Sequence, residues 1–166
     1  MKIAVKDANV LIDLIEADLL GLWFQLGIET HTTDLVIHEL KRAPHWQAVS
    51  LMIGAGNLRV RDFDATQLRA IQQAAGQLRV SLADASVLRL AAEIGAALLT
   101  GDRRVRMEAQ ARGLEVRGLL WVFDRLVEDG ILDPADACTR LTRAREAGAF
   151  LPKDECEARL HRWRRA

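Results

Sequence analysis

At 166 residues, half of them apolar and 28% charged, the chain is long enough for one domain with a sizeable core and too apolar for a disordered one. Its 23 Lys and Arg balance 23 Asp and Glu, so the formal net charge of zero excludes any bulk attraction to nucleic acid and leaves only a local patch to supply one. Cys138 and Cys156 fit neither a C-x-x-C metal pair nor a disulfide framework and read as free thiols of a reducing compartment.

Taken in order, Ile3-Ala4-Val5 is a short β-branched run that predicts a buried first strand, ending at Lys6-Asp7. That charge comes too early for a signal peptide, and no apolar run approaches the roughly 20 residues of a membrane span, so a soluble cytoplasmic protein is expected. Val10 to Ile15 and Asp18 to Leu26 predict two short helices, the second stopped by Gly27. Glu29 to His31 follows as a second strand. Thr33 caps a helix from Asp34 to about Arg42, with Pro44 beyond its end.

Trp46 to Ile53 reads as a weaker helix, Leu58 to Val60 as a third strand and Ala65 to Ala75 as a helix. Ser81 to Ile94 is the clearest helix, with an apolar face of Leu82, Val87, Leu90, Ala91 and Ile94. Ala96 to Leu99 is a strand, Thr100-Gly101-Asp102 a turn, Arg103 to Arg112 a helix and Leu114 to Val116 the last strand. From Gly118 onward three helical segments are separated by breaks near Gly130–Pro134 and Gly148–Pro152. Strands alternating with helices predict a parallel sheet covered on both faces, with a working site beyond the carboxyl ends of the strands.

Four acids stand out: Asp7 after the first strand, Glu39 on the third helix, Asp84 near the start of the clearest helix, and Asp102 after the fourth strand. Each has a plain structural reading. Asp7 and Asp102 read as helix caps, Ser81-x-x-Asp84 as a capping box, and Glu39 as a solvated helix residue. Together they invite another reading. Two unit charges 4 Å apart repel by roughly 4 kcal/mol at an effective dielectric of 20. Converging carboxylates therefore need protons or cations, and an all-oxygen set favours Mg²⁺ or Mn²⁺ over Zn²⁺. His31, His38, His45 and His161 are scattered and offer no competing zinc site.

The order and context of these acids resemble the PIN-domain family. The matching pieces are Asp7-x-Asn9-Val10-Leu11-Ile12, Thr33…Glu39-Leu40, Leu82-x-Asp84-x-x-x-Leu88 and Leu99-Thr100-x-Asp102, spread over residues 1–117. The resemblance implies a three-layer α/β/α fold with a central parallel sheet, here as a domain of residues 1–117 with a helical extension, 118–166, packed on it. It implies a metal-dependent nuclease acting on RNA. Asp7, Glu39, Asp84 and Asp102 would be its metal-binding acids, and Asn9 would orient the site or its water. It further implies a homodimer and, as in VapC-type toxins, a cognate antitoxin. Two departures stand against the pattern. Ala8 replaces the Thr or Ser of many members, and Arg103-Arg104-Val105-Arg106 stands where many carry another acid, which weakens or removes a second metal.

Arg103, Arg104 and Arg106 are candidates to guide a phosphate backbone, because arginine in a first helical turn opposes the helix dipole. The basic tail Arg159 to Arg165 reads either as a nucleic-acid contact or as a solvated helix with Trp163 turned inward. Two rival functions remain open: a catalytically inactive PIN-like module that binds nucleic acid or a protein, and a phosphotransfer enzyme with Asp7 as nucleophile. The second lacks the Asp-x-Asp and the lysine that haloacid-dehalogenase-like phosphatases require.

Overall fold

A computed structural model describes residues 2–5, 8–42 and 44–165. Five strands form one sheet in the order β3-β2-β1-β4-β5: β1 (Lys2–Val5), β2 (Glu29–Thr33), β3 (Leu58–Arg61), β4 (Ala97–Leu99) and β5 (Val116–Arg117). Every pairing is parallel, with Ile3 opposite Thr30 on one side and opposite Ala97 on the other. The direction of winding reverses between β1 and β4, so the chain leaves those two neighbours on opposite sides of a crevice.

The intervening helices are α1 (Ala8–Glu16), α2 (Leu20–Gln25), α3 (Asp34–Leu40), α4 (Trp46–Gly54), α5 (Ala65–Leu78), α6 (Leu82–Ile94) and α7 (Arg103–Ala111). Three more, α8 (Leu119–Glu128), α9 (Pro134–Glu146) and α10 (Lys153–Trp163), complete the chain. Helix α6 lies across β1, β2 and β4, while α8 packs on α1 and α2. The result is a three-layer α/β/α arrangement. One apolar cluster runs from Ile3 through Leu98 to Phe123 and Trp163, so the C-terminal helices share the core of the sheet. No helix among the described residues is long and apolar enough to cross a membrane.

Strand β2 carries an unexpected sequence, Glu-Thr-His-Thr-Thr, and continues two residues past its expected end at His31. Threonine suits a strand because its branched Cβ fits the pleat. Its hydroxyl must still find a partner when buried. Thr30 is solved by Trp23, whose Nε1–H donates to Thr30 Oγ1 at 2.9 Å, while that hydroxyl donates to the Ile28 carbonyl at 3.0 Å.

Two expectations need correction, and one open alternative is decided. Strand β5 is not Leu114–Val116 but Val116–Arg117. The Leu114 N–H closes the end of α7 by donating to the Ala109 carbonyl, and the sheet bonds come from the carbonyls of Glu115 and Arg117. Leu82 is not part of the buried face of α6: it is 47% exposed, because it sits in the first turn, just after the Ser81 cap and short of the packed stretch. Of the two readings of the C-terminal basic run, the structure agrees with the helix whose Trp163 is packed inward. Trp163 turns inward against Phe123, and Arg159 and Arg162 both close on Asp124. Cys138 and Cys156 are free thiols, and burial raises the Cys156 pKa so that it stays protonated.

Candidate active site at the carboxyl edge of the sheet

Asp7 lies outside the described residues. The other three acids stand on elements that leave this edge. Thr33 ends β2 and caps α3, its Oγ1 accepting from the Val36 N–H at 3.2 Å, and α3 carries the exposed Glu39. Ser81 and Asp84 form a reciprocal capping box at the head of α6. The Asp84 N–H donates to Ser81 Oγ at 3.0 Å and the Ser81 N–H donates to Asp84 Oδ2 at 3.4 Å. The other carboxylate oxygen, Oδ1, is shut off from solvent.

The turn after β4 is built the same way. The Asp102 N–H donates to Thr100 Oγ1 at 3.0 Å, and Asp102 Oδ1 accepts from the Val105 N–H at 3.0 Å, which caps α7. The structural readings of Asp84 and Asp102 as caps are therefore real features of the chain. Each cap uses part of a carboxylate that can accept about four hydrogen bonds or metal contacts.

A hydrogen-bond chain joins the α3 and α6 arms. Ser86 Oγ donates to the Ala83 carbonyl at 2.7 Å and lies 2.8 Å from Thr33 Oγ1. Since the Ser86 proton is committed to Ala83, the Thr33 hydroxyl is the donor of that second bond. Both side chains are fully buried. The helix that carries Glu39 is thereby locked to the helix that carries Asp84.

Asn9, Asp13, Asp102, Arg103 and Phe150 line one cleft of about 490 Å³. Glu39 and Asp84 do not line it. Among the described residues no three His, Cys, Asp or Glu side chains gather closely enough to hold a metal ion. The donors present are all hard carboxylate oxygens, which suit Mg²⁺ or Mn²⁺ in kind. Asp7, the fourth acid of the expected set, lies outside the residues over which this holds.

The three candidate arginines separate. Arg103 lines the cleft beside Asp102. Arg106 lines the adjoining cleft and donates from Nη2 to the Thr100 carbonyl at 3.1 Å. Arg104 turns the other way and donates to the Arg79 carbonyl at 2.8 Å, closing the C-terminal end of α5. Asp13 was missed in the sequence although Asn9 and Asp13 share one face of α1 at helical spacing. Asp34 was missed as well. Burial raises its pKa, the nearby Asp62 charge raises it further, and a hydrogen bond from the Leu35 N–H opposes both. Phe150 had no sequence signal beyond its place in a helix break.

Residues 3–165 match the family described as DUF3368, a PIN domain. The chain belongs to the PIN-domain family. A curated relative, endoribonuclease Nob1 of Pyrococcus abyssi (strain GE5 / Orsay), is 34% identical over 98 residues, which are 57% of this chain. The chain spans 61% of that relative's length. The crystal structure of PAE2754 from Pyrobaculum aerophilum superimposes with a TM-score of 0.57 at 20% identity, covering 77% of this chain and 90% of that one. That likeness speaks for the PIN-like fold alone.

Proposed function

We propose that this PIN-domain chain is a metal-dependent ribonuclease hydrolysing RNA phosphodiester bonds. The observation that carries the reading is the meeting of Asp102 and Asn9 with Arg103 in one cleft at the winding reversal of the sheet. The similarity to an endoribonuclease supports RNA as the substrate. Asp7, Glu39, Asp84 and Asp102 would hold Mg²⁺ or Mn²⁺. Bound there, such an ion lowers the pKa of water and offsets the negative charge that develops on the phosphate and leaving oxygens.

The chain's own residues then have distinct tasks. The caps hold the Asp84 and Asp102 carboxylates by backbone hydrogen bonds, which limits the torsional freedom each would lose on meeting a cation. Asn9 orients the attacking water by hydrogen bonding. Arg103 and Arg106 offer guanidinium donors to phosphate oxygens flanking the scissile bond. Arg104 has no such role, since it lines neither cleft. A second copy of the chain and a protein antitoxin belong to the same proposal. Light scattering of the pure protein and co-purification from its native source test those two partners.

The test is cleavage of a mixed single-stranded RNA pool with Mn²⁺, Mg²⁺ or EDTA, beside Asp84→Asn and Asp102→Asn. Cleavage that needs metal and disappears in both variants is expected. Folded protein that binds RNA yet cleaves with neither metal would instead favour the inactive binding module, a reading that Ala8 supports.

A further inference from the structure

Phe150 is the most exposed large apolar side chain among the described residues, at 94%. Its neighbours are not loose. The Ala149 N–H donates to the Ala144 carbonyl at 3.0 Å, and Ala149 and Leu151 both pack on the main core. The backbone is thus pinned on either side, and the ring between is held out into water. A lone exposed Phe is ordinary on a protein surface. This one differs in where it stands. It lines the cleft that holds Asn9 and Asp102, and also an adjoining cleft of about 860 Å³ under the C-terminal helices. Gly101 and Arg103 line both as well, so the two clefts meet at Phe150.

The larger cleft has the charge of a backbone track. Its acids are Asp13, Asp124 and Glu155, outnumbered by Arg103, Arg106, Arg117, Lys153 and Arg159; Asp124 accepts from Arg159 and Arg162, and Glu155 pairs with Arg159 at 3.5 Å. Arg103 and Lys153 form no ion pair among the described residues. Arg106 is held at the end of β4 by the Thr100 carbonyl. Arg117 lies over the Trp121 ring, 5.5 Å from its centroid, on the same wall. Positive groups along a groove with an aromatic face presented at one end is the chemistry that takes single-stranded nucleic acid.

We propose that Phe150 is a stacking platform for one unpaired base of a single-stranded RNA, beside a phosphate held by Arg103, while Arg106 and Lys153 carry the following phosphates into the larger cleft. The inference rests on the ribonuclease reading and adds to it a residue that contacts a base.

The test is fluorescence anisotropy of labelled single-stranded octaribonucleotides on the full chain in EDTA, with cleavage of the same RNA in Mn²⁺ run beside it. Phe150→Ala should weaken binding roughly 10- to 100-fold, the range of one base stacked on an aromatic ring. Phe150→Trp should restore it, and the melting temperature should not move. In a series of octamers each lacking one base, a single position should weaken wild type and leave Phe150→Ala unaffected. Arg103→Gln should lower the salt slope by roughly 0.7, whereas Phe150→Ala leaves it unchanged. If wild type cleaves the RNA and Phe150→Ala binds it as tightly as wild type, the platform is overturned and the ribonuclease stands. If wild type neither binds nor cleaves, both fall.

Discussion

Ser86→Ala probes how the candidate site is held together, and its cost can be worked from the hydrogen bonds. Ser86 is fully buried, gives its proton to Ala83 and receives one from Thr33. The Ala83 carbonyl loses nothing essential, because it lies within α6 and keeps its helical partner. The Thr33 hydroxyl is stranded without an acceptor in a place water cannot reach. A stranded buried donor costs about 1–3 kcal/mol. The better helix propensity of alanine returns roughly 0.5 kcal/mol, leaving a net loss of about 0.5–2.5 kcal/mol. At about 2–4 °C per kcal/mol for a domain of this size, the melting temperature should fall by several degrees.

The double mutant decides whether this account is right. Thr33→Val keeps the shape, removes the donor, and also removes the α3 cap, which by itself costs about 0.5–2 kcal/mol. Once Thr33 is Val, no hydroxyl remains to be stranded, so Ser86→Ala should then cost almost nothing or stabilise slightly. The cycle should show a coupling of about 1–2 kcal/mol, the double mutant being more stable than the sum of the singles. Urea denaturation in EDTA measures it without interference from metal. Additive losses to within about 0.5 kcal/mol would refute the donor assignment and the lock between α3 and α6.

Metal added at 100-fold its dissociation constant should stabilise wild type by about 2.7 kcal/mol, a rise of roughly 5–11 °C, and Asp84→Asn should lose that rise while melting near wild type in EDTA, because asparagine retains an acceptor for the Ser81 N–H. A full rise in the variant would remove Asp84 from the ligand set. Asp34 has its folded pKa raised, chiefly by burial, so its contribution to stability is complete below the unfolded value and is lost as pH climbs through the folded one. Asp34→Asn should therefore gain on wild type as pH rises from about 3.5 to 7, as measured by urea midpoints, and a flat or falling difference would contradict the burial account. Asp124 accepts from Arg159 Nη2 at 2.7 Å with both side chains less than 20% exposed, so Asp124→Ala should cost about 1.5–3 kcal/mol in a thermal melt, whereas Arg162→Ala, on a side chain 61% exposed, should cost under about 1 kcal/mol.

Much of the fold was legible because its signals are local. Gly27 and Gly95 stop helices in the left-handed conformation that their position demands, and Thr33, Ser81 and Asp102 cap the helices that follow them. The short strands Ile3–Val5 and Ala96–Leu99 are apolar runs that only a sheet covered on both faces would bury. What was not legible depends on tertiary partners. Thr-His-Thr-Thr is an unpromising strand until Trp23 arrives to satisfy Thr30. The strand after α7 begins two residues later than expected because the Leu114 N–H is taken by the helix end. The arginines after Asp102 could not be divided from sequence, since their separation depends on the Arg79 carbonyl lying beside Arg104. Phe150 is a cleft residue only because the α9–α10 connection folds back over Gly101 and Arg103, about 50 residues earlier in the chain.

Capping and metal binding at Asp84 and Asp102 look at first like rival explanations of the same residues. They are chemically compatible, since a carboxylate accepts about four contacts and a cap uses only part of them. At Asp102 the helix takes one carboxylate oxygen through the Val105 N–H, and at Asp84 it takes one through the Ser81 N–H. Each hydrogen bond fixes the side-chain torsion, and so aims the second oxygen in a direction set by the backbone. A carboxylate left free to rotate would lose that freedom on meeting a cation, at an entropic cost. One already pinned by a helix start does not, and the positive end of the helix lowers the repulsion between acids brought together. The cap is thus part of how a carboxylate can be prepared for a cation. It follows that substitutions which keep the cap but remove the charge, Asp to Asn at both positions, separate the two functions, while Asp to Ala would confound them.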